Sequence, residues 1–467
     1  MQWTTMAKTY GITAALLASF CLATEAQAGP RIEFGEEGGY LQVDLKGQVY
    51  VENTDYGSGS TNDTSRTDIH FQRNRLTVTG MLDEVYGIKF QTCGATGTTK
   101  SAVGYNLSAQ DVDWNDRDIR IIDAYGIANY DKAFNLKIGL TKIPLTRANL
   151  DDCFAPLSQD RSMFVYSAYG SSPAKFSRDL GGVAWGGFFD DRLKYYIGVF
   201  QGREGSSTVQ IPVGALKGVN ATSSNAPKTN LEYVGRLHYS FLDTEPGSGY
   251  LGSYLGEKKI LTIGGGMAYQ PDAAYKNVTN TLIRAVPTDS TSAVLQAVSR
   301  PSNGETVDYT AYAADIMFEY PLEDLGVITA TAQYLKVDFE DAYKTNFGSG
   351  DRLAVIGGLN GQKEGYYVKA AYILPITIGS EGKLQPYMLY EDWKFAHLLG
   401  IDDQKVEQIG GGINYYIKGQ NVRLTFEYLR TNFDKDTPLI NGPTTVAGAA
   451  INVDGYDTFR GMIQYIF

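Results

Sequence analysis

The chain ends Phe459-Arg460-Gly461-Met462-Ile463-Gln464-Tyr465-Ile466-Phe467. At a period of two, Phe459, Gly461, Ile463, Tyr465 and Phe467 share one face. Arg460, Met462, Gln464 and Ile466 share the other, which holds the polar side chains. Such a strand suits a sheet with apolar surroundings on one side and water on the other. A soluble sheet ending in Phe would look the same locally, so the rest of the chain has to decide.

The first 28 residues read as a cleaved export signal, outside the fold. Lys8 supplies a positive start, Ile12 to Ala23 an apolar run, and Ala26-Gln27-Ala28 a cleavage site. The mature domain is then 29–467. Cys21 is not read as a lipid anchor, because Phe20 stands where a small residue is needed. No later apolar run reaches about 18 residues, so no transmembrane helix is expected. The chain has 33 Tyr and 52 Gly against 15 Pro and 3 His, a composition that suits strands with aromatic girdles. A net charge of −11 argues against nucleic acid as a partner. Cys93 and Cys153 remain after processing, in an oxidising compartment. No C-x-x-C-H motif attaches a haem, and no other cofactor or metal is expected.

Alternation predicts strands over 41–52, 70–82, 85–91, 119–129, 134–142, 180–189, 193–201, 231–242, 260–269, 307–320, 326–339, 364–374, 383–395, 405–416, 421–432 and 456–467. The connections alternate between short and long. Asp83-Glu84, Asp190-Asp191-Arg192 and Gly419-Gln420 are tight, whereas 53–69, 92–118, 143–179, 202–230, 270–306, 340–363 and 433–455 are long. The connection 243–259 is a long exception on the short side, and 396–404 a short one on the long side. Within strands, Leu193, Tyr195, Ile197 and Val199 oppose Lys194, Tyr196 and Gly198. Likewise Val422, Leu424, Phe426 and Tyr428 oppose Arg423, Thr425 and Glu427. Charge facing hydrocarbon is costly, so the apolar sets face lipid and the polar sets face water. The expected fold is all-β: a transmembrane antiparallel barrel of about 16 strands. Short periplasmic turns and long extracellular loops connect them, and the barrel is wide enough for an aqueous channel.

Interior basic candidates are Lys46, Arg73, Arg75, Lys89, Lys137, Lys194, Arg236, Lys369, Arg423 and Arg460. The interior acids read this way are Asp44, Glu52, Asp315, Glu319 and Glu427. Rings of Lys and Arg favour anions, while plain solvated walls would show no preference. Loop 143–179 adds Arg147 and Arg161 among Asp151, Asp152, Asp160 and the aromatics Phe154, Phe164, Tyr166 and Tyr169. Folded inward it would narrow the channel; left outside it would be a surface loop. Cys93 and Cys153 both fall on the long-loop side, where a disulfide would pin loop 143–179.

The ending at Tyr465 and Phe467 resembles the last strand of bacterial outer-membrane barrels, which implies recognition by the barrel-assembly machinery. Phe71-Gln72-Arg73-Asn74-Arg75-Leu76-Thr77-Val78-Thr79-Gly80, Asp123-Ala124-Tyr125, Leu136 to Leu145, Arg178-Asp179-Leu180-Gly181 and Leu193 to Gly202 carry a further likeness. Together they resemble the phosphate-selective porin O and P family over roughly 70–202. That resemblance implies a homotrimer in lipid and lipopolysaccharide, passive diffusion of small hydrophilic or anionic solutes, and an inward third loop at 143–179. It also points to Arg73, Arg75, Lys137, Lys142, Arg147 and Arg161 as residues on the path. Phosphate selectivity itself does not carry over, since no dense arginine–lysine ladder can be matched residue by residue.

An enzyme is not expected: His70, His238 and His397 are scattered, and no nucleophile elbow or metal-ligand spacing is present. Two other readings stay open. One is a barrel that sheathes a partner such as a multihaem cytochrome; the other is a soluble extracellular β-protein.

Overall fold

The computed structural model describes residues 29–35, 37–55, 65–96, 119–162, 164–165, 177–202, 207–213, 216–223, 230–275, 278–287, 293–301, 305–340, 361–398, 401–438 and 452–467. Residues 1–28, read above as an export signal, lie outside these residues, as do Tyr166 and Tyr169.

All the expected strands form. They are β1 (Gly39–Asp55), β2 (Ser65–Met81), β3 (Tyr86–Thr96), β4 (Ile119–Asn129), β5 (Asn135–Lys142), β6 (Arg178–Phe188), β7 (Leu193–Phe200) and β8 (Glu232–Ser240). The series continues with β9 (Ile260–Tyr275), β10 (Thr306–Pro321), β11 (Val327–Asp338), β12 (Lys363–Ile373), β13 (Gly382–Leu398), β14 (Ile401–Lys418), β15 (Val422–Pro438) and β16 (Asn452–Ile466). Each pairs antiparallel with its neighbours in sequence, and β16 returns to β1 with Lys46 opposite Ile466 and Asp55 opposite Asp457. Closure leaves no free edge, so the strands satisfy their backbone polar groups by pairing with one another. The terminal residue takes part: Phe467 N donates to Leu45 O, and Leu45 N to Phe467 O, both at 2.7 Å.

Several strands run longer than the nine to eleven residues that span a membrane. β13 and β14 stay paired out to Leu398 and Ile401, so their hairpin continues beyond the bilayer. In the long loops, Ser207–Val213, Leu216–Ser223, Val278–Pro287 and Ala293–Pro301 form a separate four-stranded sheet.

The burial pattern of β8 alternates strictly, as period-two patterning requires. Ile138, Ile197, Met388 and Phe426 are exposed on the outside, while Lys194, Arg236, Arg423 and Gln464 are buried inside. Rings collect at the short-turn rim: Tyr86 meets Tyr130 edge-on at 6.0 Å, and Tyr130 stacks on Phe134 at 5.8 Å. This is an aromatic girdle at a membrane interface. Ile197 lies mid-strand and 60% exposed, so Ile197→Lys should cost about 2–4 kcal/mol of folding free energy in lipid. Urea titration of folding into vesicles measures it; an unchanged midpoint would contradict the lipid-facing assignment.

Candidate functional site

Two segments fold into the cylinder. The first is the start of the third loop. Thr146 caps a single helical turn, Arg147–Leu150, by accepting from Asn149 N at 3.0 Å. From there the chain crosses the lumen and collects bonds from the wall. Gln464 Nε2 donates to Phe154 O at 2.8 Å, Arg423 Nη1 to Pro156 O at 3.0 Å, and Asn414 Nδ2 to Leu157 O at 2.8 Å. Arg73 grips Asp160 at 2.6 and 2.7 Å, and Lys46 pairs with Asp152 at 2.9 Å. Phe164 then packs on Trp393 and Phe395. Gly266 permits the entry of this loop, since a Cβ there would meet Leu145 O at 2.2 Å.

The second segment is the connection 243–259 from the short-turn side. It does not turn tightly but rises into the barrel. Ser253 Oγ and the N–H groups of Tyr254 and Gly256 converge on the Glu319 carboxylate at 2.9–3.1 Å. Tyr250 reaches His238 through its hydroxyl and carries the Arg147 guanidinium 4.5 Å above its ring.

The two segments meet each other. Asp152 N donates to Tyr250 O at 2.9 Å and Gly252 N to Ala155 O at 2.8 Å. A Cβ at Gly252 would lie 2.4 Å from Leu157 N, so this contact requires glycine. At the junction Arg147 holds Glu245 in a two-bond fork at 2.9 and 2.5 Å. Tyr254 adds a bond to the same carboxylate at 2.7 Å.

Electrostatics fix the charges in these segments. Burial pushes the Glu245 carboxyl up, but Arg147 and the Tyr254 hydroxyl outweigh it and bring it down to about 2. Burial likewise opposes ionisation of Asp152, and Lys46 with the Phe154 N–H overcomes it, holding the carboxyl well below the usual range. Asp151 goes the other way: burial raises it by more than Arg147 and Arg161 lower it. A depressed carboxyl stabilises above its ordinary value near 4.3 and loses that contribution as pH falls through the folded value. The inserts should therefore stay docked from pH 7 to about 5 and loosen as pH falls below about 4. Single-channel conductance against pH reads this out; a flat profile to pH 2 would oppose it.

The structure divides the basic residues into two groups. Most hold the inserts or the wall. Arg161 donates to Ala148 O and Asp151 O at 3.2 and 2.9 Å, and Lys194 reaches Glu245 O and Gly247 O. Lys369 binds Ser158 Oγ at 2.7 Å. Arg236 forks onto Asp315 at 2.6 and 2.8 Å, and Arg460 pairs with Glu427. These residues, with Arg73, Arg147 and Arg423, tie the inserts and the wall together.

The second group is brought together. Lys46, Arg75, Lys89, Lys137 and Lys142 line one cavity of about 350 Å³, against Asp123 and Asp152. It lies between β1–β7 and residues 246–254, in the half near the short turns. Asp152 is matched by Lys46 and Asp123 by Arg178 at 2.8 Å. Lys142 is turned onto Leu150 O and Asp151 O, while Lys137 reaches Ser248. Lys89 makes no hydrogen bond or ion pair among the described residues.

Cys93 and Cys153 are both buried and remain thiols, so the expected bridge does not form. The backbone of Cys153 sits by Gln48 on β1, its O accepting from Gln48 Nε2 at 3.4 Å. Cys93 lies on β3, in register with Arg75 on β2 and Arg120 on β4. Ion pairs pin the loop instead.

A closed cylinder with an apolar exterior, an aromatic rim and a charged interior has one setting. The chain is a bacterial outer-membrane β-barrel. No protein-family model matches the barrel. A protein of Aquifex aeolicus (strain VF5), described only as uncharacterized, is 22% identical over 422 residues, covering 87% of this chain and 82% of its own. Among solved structures, the barrel is similar to the outer membrane channel DcaP of Acinetobacter baumannii. That likeness has a TM-score of 0.46 and 12% identity over 94% of this chain and 100% of that one. An anion-selective porin from Comamonas acidovorans aligns at a TM-score of 0.45 with 11% identity, over 92% and 100%.

Sequence reasoning missed the inward course of 243–259. Its signal was there: a long connection on the side where all others are short. Asp123 and Glu391 also escaped the interior list, though alternation along β4 and β13 places both inside.

Proposed function

We propose that the barrel is a diffusion channel for small anionic solutes, restricted by its two inward segments. The observation that carries this is the cluster of Arg75, Lys89, Lys137 and Lys142 around one cavity of about 350 Å³. Like charges held together without an equal number of acids favour an anion between them. The likeness over 70–202 supports the same reading. It extends it to oxyanions such as phosphate as candidate solutes and to a homotrimer. The pattern of residues 1–28 adds their removal on export, and the resemblance of the last strand adds Tyr465 and Phe467 as the assembly signal. Occupation of the lumen by residues of this chain favours solute passage over the sheathing of a cytochrome.

The test is reversal potential in planar bilayers under a salt gradient. Anion selectivity is expected, and Lys89→Glu with Lys137→Glu should shift it toward cations at least threefold, roughly 0.7 kcal/mol or more. Cation selectivity in the unaltered protein would overturn the reading. Arg73 is not a suitable probe, because its reversal would also release Asp160.

A further inference from the structure

We propose that the cavity beside Lys89 is a station for small aromatic carboxylates, in preference to compact oxyanions. The inference rests on the anion-channel reading and narrows its solute class.

The cavity wall is basic on one part and aromatic on another. Lys89, Arg75 and Lys137 supply charge; Tyr125, Trp185 and Tyr196 supply ring surface from β4, β6 and β7. Tyr250 closes it from the periplasmic insert. The two characters adjoin at Lys137, whose ammonium lies 5.6 Å from the Tyr125 ring centre and 5.7 Å from that of Trp185. An anion held by Lys137 therefore has aromatic surface next to it. The Trp185 indole N–H has no acceptor among the described residues.

A volume of about 350 Å³ falls within the range of small-molecule sites, roughly 300–1,000 Å³. A phosphate ion would leave most of it to water. It would also lose hydration against ring faces that offer no hydrogen bonds, and a buried charge tolerates that poorly. An aromatic carboxylate divides as the wall divides. Its carboxylate meets Lys89 and Arg75, a planar fork suited to two-oxygen acceptors. Its ring leaves water for Tyr125 and Trp185, in offset or edge-on contact. Because Pro246, Ser248 and Tyr250 complete the lining, the station exists only while 243–259 is docked.

The experiment uses the mature full-length protein in planar bilayers carrying chloride current, with benzoate, acetate and inorganic phosphate as added probes. Benzoate should interrupt the current at a concentration at least tenfold below acetate or phosphate; this comparison needs no variant. Tyr125→Leu and Trp185→Leu should each raise the benzoate constant at least threefold and leave the acetate constant unchanged. Equal constants for benzoate and acetate, or tighter phosphate, would overturn the aromatic assignment while anion selectivity stands. Cation selectivity with no interruption by any probe would overturn both.

Discussion

Glu245→Ala is expected to convert the channel to a higher conductance level that stays open. Arg147 is 1% exposed and its guanidinium is forked onto this carboxylate. Removing the carboxylate leaves the buried cation only Asp151 at 3.8 Å and the Leu251 carbonyl, at a cost of about 3 kcal/mol, the low end for a broken buried pair. Since 1.4 kcal/mol is a factor of ten, docking of the periplasmic insert should weaken at least a hundredfold. Single-channel recording checks it. The paired change Arg147→Met with Glu245→Met should restore the small level, because replacing a buried ion pair by apolar side chains is often neutral. An unaltered record in Glu245→Ala would mean that the fork does not hold the insert.

Asp160→Ala should release the other insert. Asp160 accepts twice from Arg73, once from Gln72 at 3.2 Å and once from Arg161 N at 2.8 Å. Arg73 is itself buried, so the loss is about 3–5 kcal/mol. The Cys153 thiol provides a separate readout, because it is 1% exposed on the anchored loop. In a Cys93→Ser background, Asp160→Ala should accelerate its labelling by a charged maleimide at least tenfold. Labelling as slow as in the parent would place the anchor elsewhere, with Lys46 and Asp152 the next pair to break.

Strand positions were legible in the sequence because hydrocarbon tolerates only one side-chain parity. The alternation around Ile197 and Phe426 is enforced residue by residue. The parity of loop lengths was legible for the same reason, since both chain ends must return to one rim. Partner identity was not. Period two places Arg236 inside, but its acid, Asp315, is 79 residues away, and Glu245 is 98 from Arg147. Alternation reports a face and is silent about what crosses the lumen to meet it. Hence the basic residues looked like one set, whereas most are engaged by the inserts or the wall and the group around Lys89 lines the cavity of about 350 Å³. The thiols Cys93 and Cys153 shared a side of the membrane, and a shared side does not bring two side chains together. The course of 243–259 was marked only by its length.

The bond between Gln48 Nε2 and Gln464 Oε1, 2.7 Å long, joins positions 416 residues apart. Gln464 also donates to Phe154 O in the long loop. One side chain near the end of translation thus completes both the cylinder and its obstruction. Neither can finish before the last strand is in place, and the entropy of so long a closure delays both together. The wall therefore has no way to close ahead of the loop that narrows it, because both wait on the same amide.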